Sequence, residues 1–182
     1  MQKILVMVKF LTLSLFIVTL SSCGFHLRGS IPLPKELETL YIQSNEPFGE
    51  FEQILRETLR TYKVNIVTNI KQAPIILNIV SAKLQQATGA VSGDLIMRQY
   101  TLSYVVTYQI LARNGSIIIP TKTVSSKTTF TANMNQMMTS SKNTTAQYLP
   151  RLQHDITSRM LDQLTSDSSH AVLQQYFRRS TT

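Results

Sequence analysis

The sequence predicts an α+β fold, a two-layer sandwich with two amphipathic helices packed on one face of a mixed, mostly antiparallel sheet of four to five strands. Three observations carry this. Apolar residues recur at helical spacing twice, at Phe48, Phe51, Leu55, Leu59 and Tyr62, and again at Leu149, Leu152, Ile156, Met160 and Leu164. A strict period-two pattern runs through Tyr100, Leu102, Tyr104, Val106, Tyr108 and Ile110. Asn114-Gly115 then supplies a strong hairpin signal. Amphipathic helices and a half-buried sheet each need an apolar face covered, and covering one with the other is the economical solution.

Residues 1–22 read as an address rather than as part of the fold. Lys3 and Lys9 precede a short apolar stretch from Phe10 to Leu20, and Leu20-Ser21-Ser22-Cys23 closes it. A basic start, a short apolar core and small residues before a cleavage point form a secretory signal. The Leu-Ser-Ser-Cys ending resembles a bacterial lipobox, in which the cysteine is acylated and becomes the first mature residue. Cys23 is therefore the expected lipidation site, carrying S-diacylglycerol and an N-acyl chain such as palmitate. Several acyl chains anchor a protein firmly where one does not. Gly24, rather than Asp, follows the cysteine, which under enterobacterial sorting implies the outer membrane.

Residues 23–36 form the lipidated start and an extended linker, since Ile31-Pro32-Leu33-Pro34 forbids helix. A single domain is expected over 37–165. It opens with a strand at Leu37 to Ile42. Asn45-Glu46-Pro47 announces the first helix, with Asn45 as cap and acids in the first turn. Arg56, Arg60 and Lys63 suit its C-terminal dipole. Val64 to Thr68 reads as a short strand, Ile75 to Leu84 as a central one, and Thr88 to Asp94 as a turn.

The alternating strand follows from Tyr100, and its partner runs from about Ile117 to Thr131. Pro120 offers no ladder donor, so the partner is expected at an edge. A two-residue loop would pair even positions with odd ones, and neither parity gives a clean apolar face. The polar stretch Asn133 to Thr145 reads as a loop. Pro150 either opens the last helix or kinks one that begins nearer Thr139. Residues 166–182 read as a polar C-terminal tail with a short helix around Ala171 to Phe177.

Composition narrows the function. Of 182 residues, 43% are hydrophobic and 15% charged, with six glycines and six prolines, which excludes collagen-like and highly charged disordered chains. One cysteine excludes an intrachain disulfide and a cysteine-based zinc site. His26, His154 and His170 show no metal-ligand spacing, and no nucleophile elbow, dinucleotide loop or phosphate loop is present. No enzyme activity, metal or other cofactor is expected. A hydrolase built around His154 would need a nucleophile touching that ring.

The net charge of +8 is unevenly distributed. Residues 64–150 hold seven bases against the single acid Asp94. A cationic sheet with Thr and Ser between the bases suits phosphate or sugar, or else carries charges that deter edge-to-edge pairing. Nucleic acid is not an expected partner, because no recognition signature is present.

The heptapeptide Cys23-Gly24-Phe25-His26-Leu27-Arg28-Gly29 resembles the mature opening of the LptE family of lipopolysaccharide-assembly lipoproteins. The order of elements to about residue 165 is similar too. The resemblance implies two helices on a mixed sheet, held as a plug in the lumen of a large outer-membrane β-barrel, LptD. The pair delivers lipopolysaccharide to the outer leaflet. It also implies lipopolysaccharide binding by basic residues at one end of the sheet. Lys142, just before the C-terminal helix, is the counterpart of one such base. The loop tip Ala90 to Asp94 lacks the other, so Arg98 is the substitute, with Lys127 approaching across the hairpin. The competing reading is a lipid-anchored periplasmic module that binds another envelope polymer, such as peptidoglycan, without a barrel.

Overall fold

The computed structural model describes residues 33–47, 49–91 and 97–180. Five strands form one mixed sheet: β1 (Thr39–Ser44), β2 (Asn65–Ile66), β3 (Ile75–Val91), β4 (Met97–Ala112) and β5 (Ile117–Asn133), in the order β2-β1-β3-β4-β5. β1 runs parallel to β2 and β3, while β3, β4 and β5 are antiparallel neighbours. Helices α1 (Glu50–Thr61), α2 (Met134–Leu164) and α3 (Asp167–Ser180) pack on this sheet. The expected α+β sandwich is therefore present, with five strands and, among the described residues, three helices instead of two. The tail after residue 165 contributes the third, which buries Leu173 fully.

The first helix keeps its stripe, with Phe51, Leu55 and Leu59 buried. Phe48 lies outside the described residues. Asn45 is not the cap. The Gly49 amide closes a turn onto the Glu46 carbonyl at 3.1 Å, so the helix begins at Glu50, and the Asn45 amide donates instead to the Val80 carbonyl at 3.3 Å. Glu52, one of the acids in the first turn, is 3% exposed and takes an Arg56 guanidinium at 2.6 Å, one turn on. At the other end, Val64 N–H reaches the Leu59 carbonyl and Lys63 N–H the Arg60 carbonyl, the paired bonds of a Schellman motif. Lys63 occupies its left-handed position at φ +62°, where glycine is the usual residue.

β1 starts two residues later than expected, because Lys35–Leu37 winds into a 3-10 turn that buries Leu37. β3 continues through Val91. Thr88 to Val91, read as turn, are thus strand, and the rest of that turn lies outside the described residues. The two long hairpins hold more of the ladder than the parallel strands.

The β4–β5 register shows why parity failed in the sequence. The loop has three residues, not two. Ala112 N–H bonds the Ser116 carbonyl, Gly115 N–H bonds the Ala112 carbonyl, and Gly115 adopts φ +83°, which is a turn followed by a glycine bulge. β5 then slips twice against β4. Leu111 pairs Ile117, Ile110 pairs Ile119, and Tyr108 pairs Lys122. Each slip inserts one extra residue in β5, so adjacent Ile118 and Ile119 are both buried. Pro120 sits in this irregular stretch of an edge strand, as its missing donor requires.

The stretch Asn133 to Thr145 is not a loop. α2 begins at Met134 and carries Pro150 in its interior. A proline there has no N–H for the Ala146 carbonyl, yet the helix continues on both sides. Beyond it, Leu152, Ile156, Met160, Leu161 and Leu164 enter the core. Tyr108, fully buried on β4, donates its hydroxyl to Gln163 Oε1 at 2.8 Å, and burial pushes its pKa up to about 12.

Candidate functional site

One face of the sheet is covered by helices. Even-numbered residues of β4 from Tyr100 to Ile110 are buried on that side. Tyr100, Phe130 and Tyr148 stack in succession, with ring centres 5.6 and 5.8 Å apart, and tie β4, β5 and α2 together. The odd-numbered residues of β4 form the other, open face.

The register assigns residues to rows across that open face. Ser81, Thr107 and Thr123 form one row, with the two threonine hydroxyls 3.2 Å apart. Lys83, Val105 and Ser125 form the next, then Gln85, Ser103 and Lys127, then Ala87, Thr101 and Thr129. The sequence of β3, β4 and β5 contains no Asp or Glu. Over these rows the open face is a hydroxyl- and amide-rich plane carrying two exposed ammonium groups, Lys83 and Lys127, while towards the β4–β5 turn it becomes apolar at Ile76 and Leu111. They lie two strands apart and two residues offset, about 12 Å between Cα atoms on ordinary sheet spacings. Neither forms an ion pair among the described residues.

Lys127 is exposed opposite Ser103. Arg98 pairs Ala132 on β5 and Val91 on β3, five positions further along β4. The register therefore separates Lys127 from Arg98 by roughly 17 Å along the strand, and the neighbour of Lys127 across the face is Lys83. Lys142 lies on α2, not on a loop before it. The side chains of Arg98 and Lys142, and all of Cys23, fall outside the described residues. Lys83 was not singled out by sequence reasoning. Its orientation depends on an extra residue, Val80, inserted between the Ile79–Tyr108 and Ser81–Thr107 pairs. That insertion switches which parity of β3 faces the open side, and nothing in the local sequence announces it.

Lys122, on the helix-covered side, donates to Ser169 at 3.4 Å and links β5 to α3. Asp155 on α2 accepts from Ser126 at 2.5 Å and from Arg159 at 3.0 Å. The Ser126 hydroxyl, helped by the Arg159 guanidinium, holds its carboxyl below the usual carboxylate range.

Catalytic constellations do not assemble among the described residues. The His154 side chain is exposed, and no nucleophile bonds its ring. His170 Nε2 meets the Gln174 amide at 3.0 Å. Among the described residues, no group of three His, Cys, Asp or Glu could hold a metal ion, and no helix is long and apolar enough to cross a membrane. His26 lies outside the described residues.

The comparisons agree with this architecture. The solution structure of lipoprotein B from Nitrosomonas europaea shares the fold with a TM-score of 0.59 at 21% identity, covering 84% of this chain and 96% of that one. The LPS-assembly lipoprotein LptE of Photorhabdus laumondii is 32% identical over 109 residues, 59% of each chain. That of Pectobacterium atrosepticum is 31% identical over 102 residues, 56% of this chain and 55% of its own. The matched stretch thus spans little more than half the length of these relatives. The lipopolysaccharide-assembly family model LptE matches residues 37–164, from the turn that precedes β1 to the last residue of α2. The chain belongs to the LptE family.

Proposed function

We propose that the chain is a non-enzymatic, lipid-anchored assembly factor. It plugs a large LptD-like β-barrel from the periplasmic side of the outer membrane and binds lipopolysaccharide on its way to the outer leaflet. Membership of the LptE family over residues 37–164 carries the reading. The open sheet face supports it in kind. A body held in a hydrated lumen benefits from uncharged hydroxyls and amides, which solvate well without strong like-charge repulsion, and an acid-free strand surface favours phosphate. Cys23 is the anchor in this reading, and Gly24 after it directs the chain to the outer membrane.

Arg98, Lys142 and Lys127 are the proposed contacts to lipopolysaccharide phosphates. Mild detergent extraction recovers the chain with a large barrel protein. Recovery alone, together with binding to cell-wall sacculi and not to lipopolysaccharide, overturns the proposal and favours a peptidoglycan module. Arg98→Gln with Lys142→Gln weakens lipopolysaccharide binding about tenfold or more at low salt and leaves folding unchanged. The difference shrinks as salt rises, because exposed charge contacts are screened. Unchanged affinity in the double variant removes both residues from the site.

A further inference from the structure

The turn end of the sheet gathers features that lipopolysaccharide binding does not use. There, β1 and β3 begin side by side, Leu40 beside Ile75, and Ile75 lies opposite Ala112 at the β4–β5 turn. α1 finishes at this end, since Asn65 N–H, just past it, bonds the Glu38 carbonyl before β1. α3 finishes there too, with Tyr176 hydroxyl 2.8 Å from Ser116 Oγ. A hollow of about 400 Å³ opens between the β4–β5 turn and α3, lined by Pro74, Ala112, Arg113, Asn114, Tyr176 and Phe177.

Around it stand exposed apolar tips. Ile117 is 60% exposed and Ile70 is 40% exposed. Exposed cations lie at the same end of the sheet: Lys35, Lys63, Lys71, Arg113 and Arg179. The acids at this end are Glu36 and Glu38, with Glu57 one turn back from the end of α1. Arg113 is held in place by its Nε bond to the Ala73 carbonyl at 3.0 Å. Isolated aliphatic tips, two aromatic rings and a rim of long basic side chains make an interfacial pattern. In such a pattern apolar tips enter a headgroup layer while ammonium and guanidinium groups stay at phosphate level.

We propose that this end rests on the headgroups of an anionic phospholipid surface. Charge complementarity selects the lipid, and the path of the chain brings it near. Leu33 packs on the core just before β1, at the same end. The ten residues from Cys23 to Leu33 reach at most about 35 Å. This second argument rests on the anchor reading of Cys23, whereas the charged and apolar surface does not.

Nitroxide labels on full-length acylated chain provide the test. Ile117→Cys places one at the turn end and Gln85→Cys places one on the open face. The unmutated chain, whose single thiol is Cys23, supplies the background, and intact mass reports acylation separately. In vesicles of phosphatidylethanolamine and phosphatidylglycerol, the label at 117 collides with oxygen in preference to a water-soluble nickel chelate. The label at 85 does the reverse. Lys71→Gln with Arg179→Gln lowers the ratio of lipid-contacting to water-contacting label at 117 by about thirtyfold, equivalent to about 1 kcal/mol for each cation removed. A label at 117 as wet as that at 85 overturns the inference. So does contact that is indifferent to phosphatidylglycerol, or that arises only when the barrel is present. An unacylated Cys23 overturns the anchor reading and leaves the result at 117 to be judged by itself.

Discussion

The turns of α2 on either side of Pro150, residues 143–149 and 151–164, share a backbone conformation and differ in what they bury. After the proline, Leu152, Ile156, Met160 and Leu164 are each at most 3% exposed. Before it, Tyr148 and Leu149 are half-buried and Asn143, Ala146 and Gln147 are exposed. The earlier half has Met, Gln, Lys and Ala, which favour helix on their own, and it is held to the sheet by the Tyr148–Phe130 stack. Helicity and burial are thus separable along one element. Apolar periodicity reports burial and not helicity, and residues 133–145 have no apolar period in the sequence, so they read as loop.

The largest expected effect tests that asymmetry directly. Met160→Ala removes a fully buried side chain and costs about 2–5 kcal/mol in urea unfolding, because a cavity adds to the lost transfer energy. Tyr148→Ala, on the other side of Pro150, costs about 1 kcal/mol, the scale of an aromatic pair at a partly exposed site. Equal losses would break the comparison.

Next is the proline itself. Pro150→Ala stabilises by about 2 kcal/mol, from an interior helix cost of about 3 kcal/mol less the roughly 1 kcal/mol that proline withdraws from the unfolded chain. Amide exchange should slow most just before position 150. A destabilised variant would mean that the helix is built around the missing donor.

The polar tie between β5 and the buried half of α2 is smaller. Ser126→Ala costs up to about 1 kcal/mol at neutral pH, and the 42% exposure of the Asp155 side chain keeps it at or below that figure. The pH dependence has a definite sign. The folded Asp155 holds its proton less tightly than the unfolded one. Its contribution is therefore present above the ordinary carboxylate pKa and is lost as pH falls through the folded value. The stability gap between variant and parent should close in acid. NMR titration of Asp155 should move upward in the variant. A gap that persists below the folded pKa assigns the loss to packing instead.

The smallest change concerns α1. Lys63→Gly relieves a side chain at φ +62° and stabilises by about 0.5–1 kcal/mol. It shows whether α1, which ends on a full pair of Schellman bonds, is limited by its C-terminus as α2 is limited by its interior proline. No gain in thermal midpoint would mean that Lys63 is relaxed where it stands.

Much of the fold was legible. The Phe51, Leu55 and Leu59 stripe, the Tyr100 to Ile110 alternation, the Asn114-Gly115 turn and the edge position of Pro120 all follow from side-chain chemistry acting within a few residues. The family was legible as well, from Cys23 to Gly29 and the order of elements. The candidate site was legible only in part. The excess of base over acid in the strands is compositional. Pairing Lys127 with Lys83 across Ser103 and Val105 was not, because it depends on the bulge at Val80.

The sequence alone determined the layers: each amphipathic face is a local property, and hiding it from water allows few arrangements. Tertiary structure decided the rest. It set which parity of β3 and β5 faces the helices, how far α2 extends beyond its apolar stripe, and the recruitment of residues 167–180 as a third helix over the β4–β5 turn. Those outcomes balance a bulge, a proline or a polar helix against contacts made dozens of residues away, and the competing terms are each only about 1–3 kcal/mol. Local pattern cannot decide such contests, because their deciding contacts exist only once the chain is folded.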